Sequence, residues 1–245
     1  MLRGNASGNP DSKVLAGMDG CPGGWICVVR HLTTDHLQAH ILSDISEIAA
    51  LAPKPDIVMI DIPIGLAQSG PRLCDLEARR VLGRPRSSSV FPAPIRPCLA
   101  AASYEDACAI RMRIEGKKMS RQAWAILRKV DQVDRFLSLN RDWQTRIREV
   151  HPELSFHCWN FGTSMAHRKK SAEGFAERER LVRANFGKTC LQLGDTLPAG
   201  QFGRDDLMDA FAALWTAERV IRGTALIVPA NPPADDFGLR MEILA

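Results

Sequence analysis

Lys13–Asp19 (KVLAGMD), Gly20–Gly24 (GCPGG) and Trp25–Leu32 (WICVVRHL) decide how this chain reads. The first is a short apolar run that ends in Asp and Gly, as a buried strand does. The second is a turn by composition. The third resumes with β-branched residues, so the three together predict a hairpin. Working outward, Leu37–Leu42 supplies a third strand. Asp44–Ala52 opens with a capping residue, spaces its apolar positions helically and is followed by Pro53, which predicts a short helix. Asp56–Asp61 (DIVMID) is nearly continuous in apolar residues, the pattern of a strand covered on both faces, and it too ends in Asp.

Beyond Asp61 the character turns helical. The run CDLEARRVLG closes at Gly83, and Ser87–Pro97 is a Pro-punctuated loop. Tyr104–Glu115 and Ser120–Leu139 read as helices, the second with a one-sided stripe of Trp124, Ile126, Leu127, Val130, Val133, Phe136 and Leu137. Arg146–His151 reads as a strand leading into Pro152–Phe156. Glu173–Phe186 is amphipathic and ends at Gly187. Asp205–Arg222 is the clearest helix, acidic where it opens and basic where it closes. Thr224–Ala245 holds one short apolar run and a Pro-rich turn. The class expected is α/β: a mixed sheet flanked by helices, forming one domain over 13–245 with a basic helical insertion at about 71–145. Met1–Ser12 is rich in Gly, Asn and Ser and reads as a frayed tail.

Composition narrows the function classes. At 45% hydrophobic residues the chain can bury a substantial core. No apolar run approaches the length that spans a bilayer, and Met1–Ser12 lacks the apolar centre of a signal peptide, so a cytoplasmic protein is expected. The seven cysteines are odd in number, irregular in spacing and without a C-x-x-C pair, which argues against a disulfide framework, structural zinc and thiol catalysis. Net charge is +4, but Pro71–Arg148 holds 17 Lys and Arg against 8 Asp and Glu. That excess suits a polyanion, and it suits solvated helix faces equally well.

Carboxylates carry the chemistry. Asp19 and Asp61 each end a buried strand, and ligands in α/β sheets gather beyond the carboxyl ends of strands. Asp205, Asp206 and Asp209 crowd the start of an otherwise apolar helix. Asp206 and Asp209, three apart, share a face, and Ala210, Ala213 and Ala217 near it allow close approach to a sheet. Asp205 reads as the helix cap. Carboxylates brought together repel unless a cation compensates, and Mg²⁺ or Mn²⁺ is the natural partner of such oxygen ligands. Taken singly, each aspartate also suits a turn or a helix terminus.

Six strings occur in order: Gly17-Met18-Asp19-Gly20-Cys21 with Gly24-Trp25; Asp61-Ile62-Pro63-Ile64-Gly65-Leu66; Cys74-Asp75 with Ala78-Arg79; Ser88-Ser89-Val90-Phe91-Pro92-Ala93-Pro94 with Arg96; Glu149-Val150-His151-Pro152-Glu153-Leu154-Ser155-Phe156; and Asp205-Asp206-Leu207-Met208-Asp209-Ala210. In these the chain resembles the predicted ribonuclease-H-like nuclease family, catalogued as domain of unknown function 429, from about Val14 to about Arg222. The resemblance implies a ribonuclease-H-like fold and metal-dependent hydrolysis of nucleic acid. It casts Asp19 as the first-strand carboxylate, Asp61 as the second-strand ligand, and Asp206 or Asp209 as the late-helix ligand. Glu153 becomes a further ligand or proton shuttle, with a salt bridge to an arginine as its structural alternative.

The mechanism so implied uses two ions roughly 3.5–4 Å apart at the scissile phosphate. His151 is a candidate proton donor, given a pKa near neutrality. Arg79, Arg84, Arg86 and Arg96, with Ser88 and Ser89, are candidates for contacts to flanking phosphates, although the same loop suits a rigid connection over the sheet edge. Two rival classes stand beside this one. A scaffold that binds nucleic acid or protein without cutting would need no metal. A sugar-kinase or actin-type phosphotransferase also begins with a strand ending in Asp-Gly, but it duplicates the motif, and no P-loop string occurs here.

Overall fold

A computed structural model of the chain describes residues 13–245; the tail expected over Met1–Ser12 lies outside them. The opening hairpin forms as expected. β1 (Val14–Cys21) and β2 (Gly24–His31) pair antiparallel, with Asp19 opposite Ile26, and Pro22-Gly23 makes the turn. β3 (His36–Leu42) continues antiparallel on β2. The segment expected as a short helix is a 3-10 turn over Ile45–Ala50, capped by the Asp44 side chain on the N–H of Ser46 at 2.9 Å. β4 (Ile57–Ile60) then joins β1 in parallel, and β5 (Ile147–Glu149) joins β4 in parallel. The result is a five-stranded mixed sheet in the order β3-β2-β1-β4-β5.

Six α-helices surround it among the described residues. α1 (Leu73–Leu82), α2 (Tyr104–Glu115) and α3 (Arg121–Leu139) lie between β4 and β5 in sequence. α4 (Pro152–Trp159), α5 (Ala172–Phe186) and α6 (Arg204–Ile221) follow β5. The hydrophobic stripe of α3, including Val130, Val133 and Phe136, packs with Ala16, Met18, Trp25 and Cys27 on one face of the sheet. Leu15, Ile26, Val28 and Met59 point to the other face, where α6 lies with Phe156 of α4 and Val182 of α5. A short ribbon of β6 (Ile227–Val228) and β7 (Ile243–Leu244) packs on α1. All seven cysteines are free, and burial alone pushes the Cys27 thiol up to about 12, as expected of an inert core residue.

Two contacts fix the sheet's surroundings most tightly. First, α6 meets β1 without intervening side chains: a Cβ on Gly17 would stand 2.2 Å from the carbonyl oxygen of Ala210 and 2.2 Å from the backbone nitrogen of Leu214. Ala210, Ala213 and Ala217 are fully buried, as their small size suggests. Second, the loop after β4 is tied down by a buried ion cluster. Arg72 donates to Asp75 at 2.6 Å, to both oxygens of Glu149 at 2.7 Å and to the carbonyl of Ile64 at 3.0 Å. The same carboxylates accept backbone N–H groups, Glu149 from Ile64 at 2.7 Å and Asp75 from Ala93 at 3.2 Å.

Candidate metal centre

The site lies on the α6 face of the sheet, and strand register sets its first two members. Met18 is paired with Ile60 in parallel, and the N–H of Asp61 donates to the carbonyl of Met18 at 3.0 Å, so the ladder continues one step past β4. Asp19 and Asp61 therefore sit on adjacent strands with side chains on the same face. The close contact at Gly17 brings α6 against β1 and sets Asp209 above them. One carboxylate oxygen from each of Asp19, Asp61 and Asp209 lies within 4.8 Å of the other two.

The electrostatics are those of charges held together against their tendency. Burial, then the neighbouring Asp61 and Asp209, raises the pKa of Asp19 well above the ordinary carboxylate range. Burial pushes Asp61 to about 7, with Lys169 opposing and Glu153 adding to the rise. Burial likewise pushes Asp209 to about 6. Lys169 is the cation of this cluster. It donates to Oδ2 of Asp209 at 2.8 Å, and although burial opposes its charge, Asp209, Asp19 and Asp61 outweigh that and raise its pKa. A second lysine stands behind Asp19: Lys129 on α3 donates to the carbonyls of Cys21 at 3.3 Å and of Gly24, over the ring of Trp25.

The other expected residues fall differently. Asp206 takes the N–H of Gly203 at 2.8 Å and closes the N-terminus of α6, the task the sequence suggested for Asp205. It is not among the three whose oxygens meet. Glu153, at the start of α4, accepts a hydrogen bond from Arg178 through Oε1, so the salt-bridge alternative is realised; Oε2 is buried without a hydrogen-bond partner. Burial lowers the pKa of His151, whose Nε2 stands 3.3 Å from the carbonyl of Ser89. That makes it a neutral ring at pH 7, a poor match to the donor role suggested for it.

The loop expected to hold phosphates is largely committed to the fold. Arg96 grips Asp134 at 2.7 and 3.0 Å and also binds Asp235, which leaves little for a ligand. Arg79 donates to the carbonyl of Val90 at 2.6 Å and Arg86 to that of Met165 at 2.7 Å. Ser89 is half-buried, Ser88 is exposed and turned back to Pro85 at 3.4 Å, and Arg84 is exposed. Lys169 and Arg178 carry no signal in the sequence, since both reach their partners across many residues from irregular or merely amphipathic surroundings. What the arrangement can do chemically is offer three hard oxygen ligands, with one ammonium as partial compensation, to a divalent cation.

Neither the curated proteins nor the solved structures include a match to this chain. The model of one family, described as protein of unknown function DUF429, matches residues 17–234, and the chain belongs to that family.

Proposed function

We propose that this protein is a metal-dependent nuclease on a ribonuclease-H-like scaffold, hydrolysing phosphodiester bonds of nucleic acid. The observation that carries the reading is the meeting of Asp19, Asp61 and Asp209, from β1, the end of β4 and α6, within 4.8 Å of one another. Carboxylates on the first strand, on a later strand and on a late helix also follow the placement that the ribonuclease-H-like resemblance implies. The donor set fits Mg²⁺ or Mn²⁺: it is all oxygen, two of its three members are buried and the third is half-buried, and one ammonium cannot neutralise three carboxylates. No described Cys or His joins it, as a softer metal would prefer.

Asp19, Asp61 and Asp209 would hold the metal, and these carboxyls, all with raised pKa, would release protons as it binds. A divalent ion there supplies Lewis acidity, offsetting charge at the phosphate and acidifying a water. Lys169 is placed to exchange Asp209 for a phosphate oxygen, both being anionic acceptors for its ammonium. Glu153 Oε2 is a free acceptor for a proton of the attacking water while Arg178 holds Oε1. In the net reaction water adds to phosphorus, the phosphorus–oxygen ester bond breaks, and the departing oxygen takes up a proton.

The test is a calorimetric Mn²⁺ titration of the full chain beside cleavage assays on labelled DNA and RNA oligonucleotides. Wild-type protein should bind Mn²⁺ and cut in its presence, and Asp19→Asn and Asp61→Asn should lose both. Oligonucleotide binding that ignores Asp19→Asn, without cleavage or Mn²⁺ uptake, would make the protein a non-cutting scaffold. Robust ATP turnover would move it to the phosphotransferases.

A further inference from the structure

The Lys169 side chain that touches the acidic cluster also forms one end of a separate groove of about 680 Å³. The groove runs along the N-terminal turns of α5 and α6, lined by Lys169, Lys170, Ser171, Phe175 and Arg204, among others. Its two acidic lining residues are Asp205 and Glu179, and Glu179 is already engaged by Arg183 at 2.9 Å. Lys170 and Arg204 are exposed, and among the described residues neither makes an ion pair. Arg204 instead lies over the ring of Phe175, 4.4 Å from its centroid, and makes no ion pair with Asp205, the acidic residue next to it in the lining. Elsewhere the exposed end of this protein's arginines is commonly turned onto a carboxylate, as in Arg30 with Asp35 or Arg135 with Asp131.

We infer that this groove, rather than the Ser-Pro loop, receives the sugar-phosphate backbone of one nucleic-acid strand, with Lys170 and Arg204 contacting phosphates next to the one that reaches the carboxylates. The inference rests on the nuclease reading for the identity of the polyanion. Three observations join in it. Lys169 lines the groove and donates to Asp209 at 2.8 Å, so one side chain borders both sites. The lining presents two exposed cations without ion pairs, Lys170 and Arg204, beside Lys169, and more than one phosphate of a polyanion can be met there. The arginines of the Ser-Pro loop, the other basic surface near the site, are mostly spent on backbone carbonyls and on Asp134 and Asp235. A single strand is the occupant because the scissile phosphate must reach a cluster in which only Asp61 is partly exposed, while Asp19 and Asp209 are buried at 8% and 3% exposure. A rigid duplex cannot follow that path as easily as a flexible strand.

Fluorescence anisotropy with labelled single-stranded DNA and RNA oligonucleotides, in EDTA so that nothing is cut, tests this apart from catalysis. Wild type should bind single strands better than duplex, with affinity falling as salt rises. Each of Lys170→Ala and Arg204→Ala should weaken binding severalfold and flatten the slope of log affinity against log salt by about 0.7, one phosphate contact on a single strand. Arg204→Lys, which keeps the charge but loses the planar stacking, should restore the slope and shows that the effect is not misfolding. Mn²⁺ titrations of the same variants should match wild type, so failure of the metal site and failure of the groove read out separately. Unchanged affinity and slope in the double variant overturns the inference. So does tighter binding to duplex, no binding by wild type, or equal competition by polyglutamate, which would make the groove a site for acidic protein.

Discussion

Lys169 Nζ lies 2.8 Å from Oδ2 of Asp209, and this contact joins the irregular segment before α5 to the face of α6 that carries the acidic cluster. Without metal, the ammonium and the protons that the raised carboxyls retain together make the three acidic groups tolerable. With metal, the ammonium becomes a positive charge beside another positive charge. Lys169→Met should therefore act in opposite directions on the two states. The metal-free protein should unfold at lower temperature at pH 8, while Mn²⁺ should bind more tightly, on the order of tenfold, or roughly 1.4 kcal/mol. Calorimetry and thermal unfolding on one preparation would show it; weaker Mn²⁺ binding would contradict the competition.

The pH dependence of stability has a definite sign. Asp61 is raised to about 7 and Asp209 to about 6, from an ordinary value of 3.8. A carboxylate whose folded pKa is raised binds its proton more tightly in the folded state, so its contribution is present at low pH and is lost as pH climbs through that window. Between about pH 4 and about pH 7 the metal-free protein should lose stability. Asp61→Asn should flatten the loss, and saturating Mn²⁺ should reverse it, with protons released on binding. Thermal unfolding across pH with and without Mn²⁺ measures all three, and a wild-type profile identical to that of Asp61→Asn would refute the account.

Asp206 and Asp209 are separable by experiment. Asp206→Ala removes the carboxylate that holds the N–H of Gly203 and should cost about 1 kcal/mol in the manner of a lost cap, leaving Mn²⁺ binding in place. Asp209→Asn should abolish Mn²⁺ binding and stabilise the metal-free protein above pH 7 by easing repulsion. Loss of the metal in Asp206→Ala at normal stability would make Asp206 a ligand after all.

Gly17 sets the height of α6 above the sheet. Gly17→Ala would drive a methyl group into the backbone of Ala210 and Leu214, both parts of a helix that cannot yield locally. The expected cost is about 3 kcal/mol or more, at the upper end of overpacking effects. Urea denaturation would measure the cost, and Mn²⁺ affinity should fall along with it because Asp209 moves away from Asp19. A neutral outcome would mean that α6 stands farther from β1 than this contact allows.

Arg72 anchors a second charged cluster, away from Asp19, Asp61 and Asp209. Arg72→Met leaves Asp75 and Glu149 buried without their cation, and breaking a buried pair this way costs about 3–5 kcal/mol. Burial already pushes Glu149 up to about 7 with Arg72 present. The variant should therefore suffer less at pH 5, where Glu149 is protonated, than at pH 8. Equal losses at both pH values would point away from charge as the cause.

Local forces are legible in this sequence, and distant meetings are not. α2 (Tyr104–Glu115) and α3 (Arg121–Leu139) can be read because stripe and cap are written within a few residues, Ser120 capping Ala123 at 3.1 Å. β1 and β4 can be read as apolar runs closed by Asp. α4 cannot be read as a helix: its eight residues are too few for a periodicity, and Pro152 at its start is the only signal. Asp206 and Asp209 cannot be told apart by spacing, since both lie on one helical face; a cap bond to Gly203 decides between them. The pairs Lys169–Asp209 and Arg178–Glu153 join residues 40 and 25 apart in sequence, and no pattern along one chain specifies such a meeting. For the arginines of the Ser-Pro loop, the sequence displays the charge but hides the carbonyls and carboxylates that occupy it.

The Arg72 cluster has a consequence for anyone sorting relatives of this chain. Ile64, Asp75, Ala93 and Glu149 stand in four of the six strings that make the chain recognisable, and the cluster binds all four into one clamp. Those four letters of the signature record how the scaffold is braced, apart from the three aspartates proposed to hold metal. A relative could keep every bracing letter and still lack the three aspartates on which the proposed hydrolysis depends. On the proposed reading, relatives with and without the metal site would be sorted first by positions 19, 61 and 209.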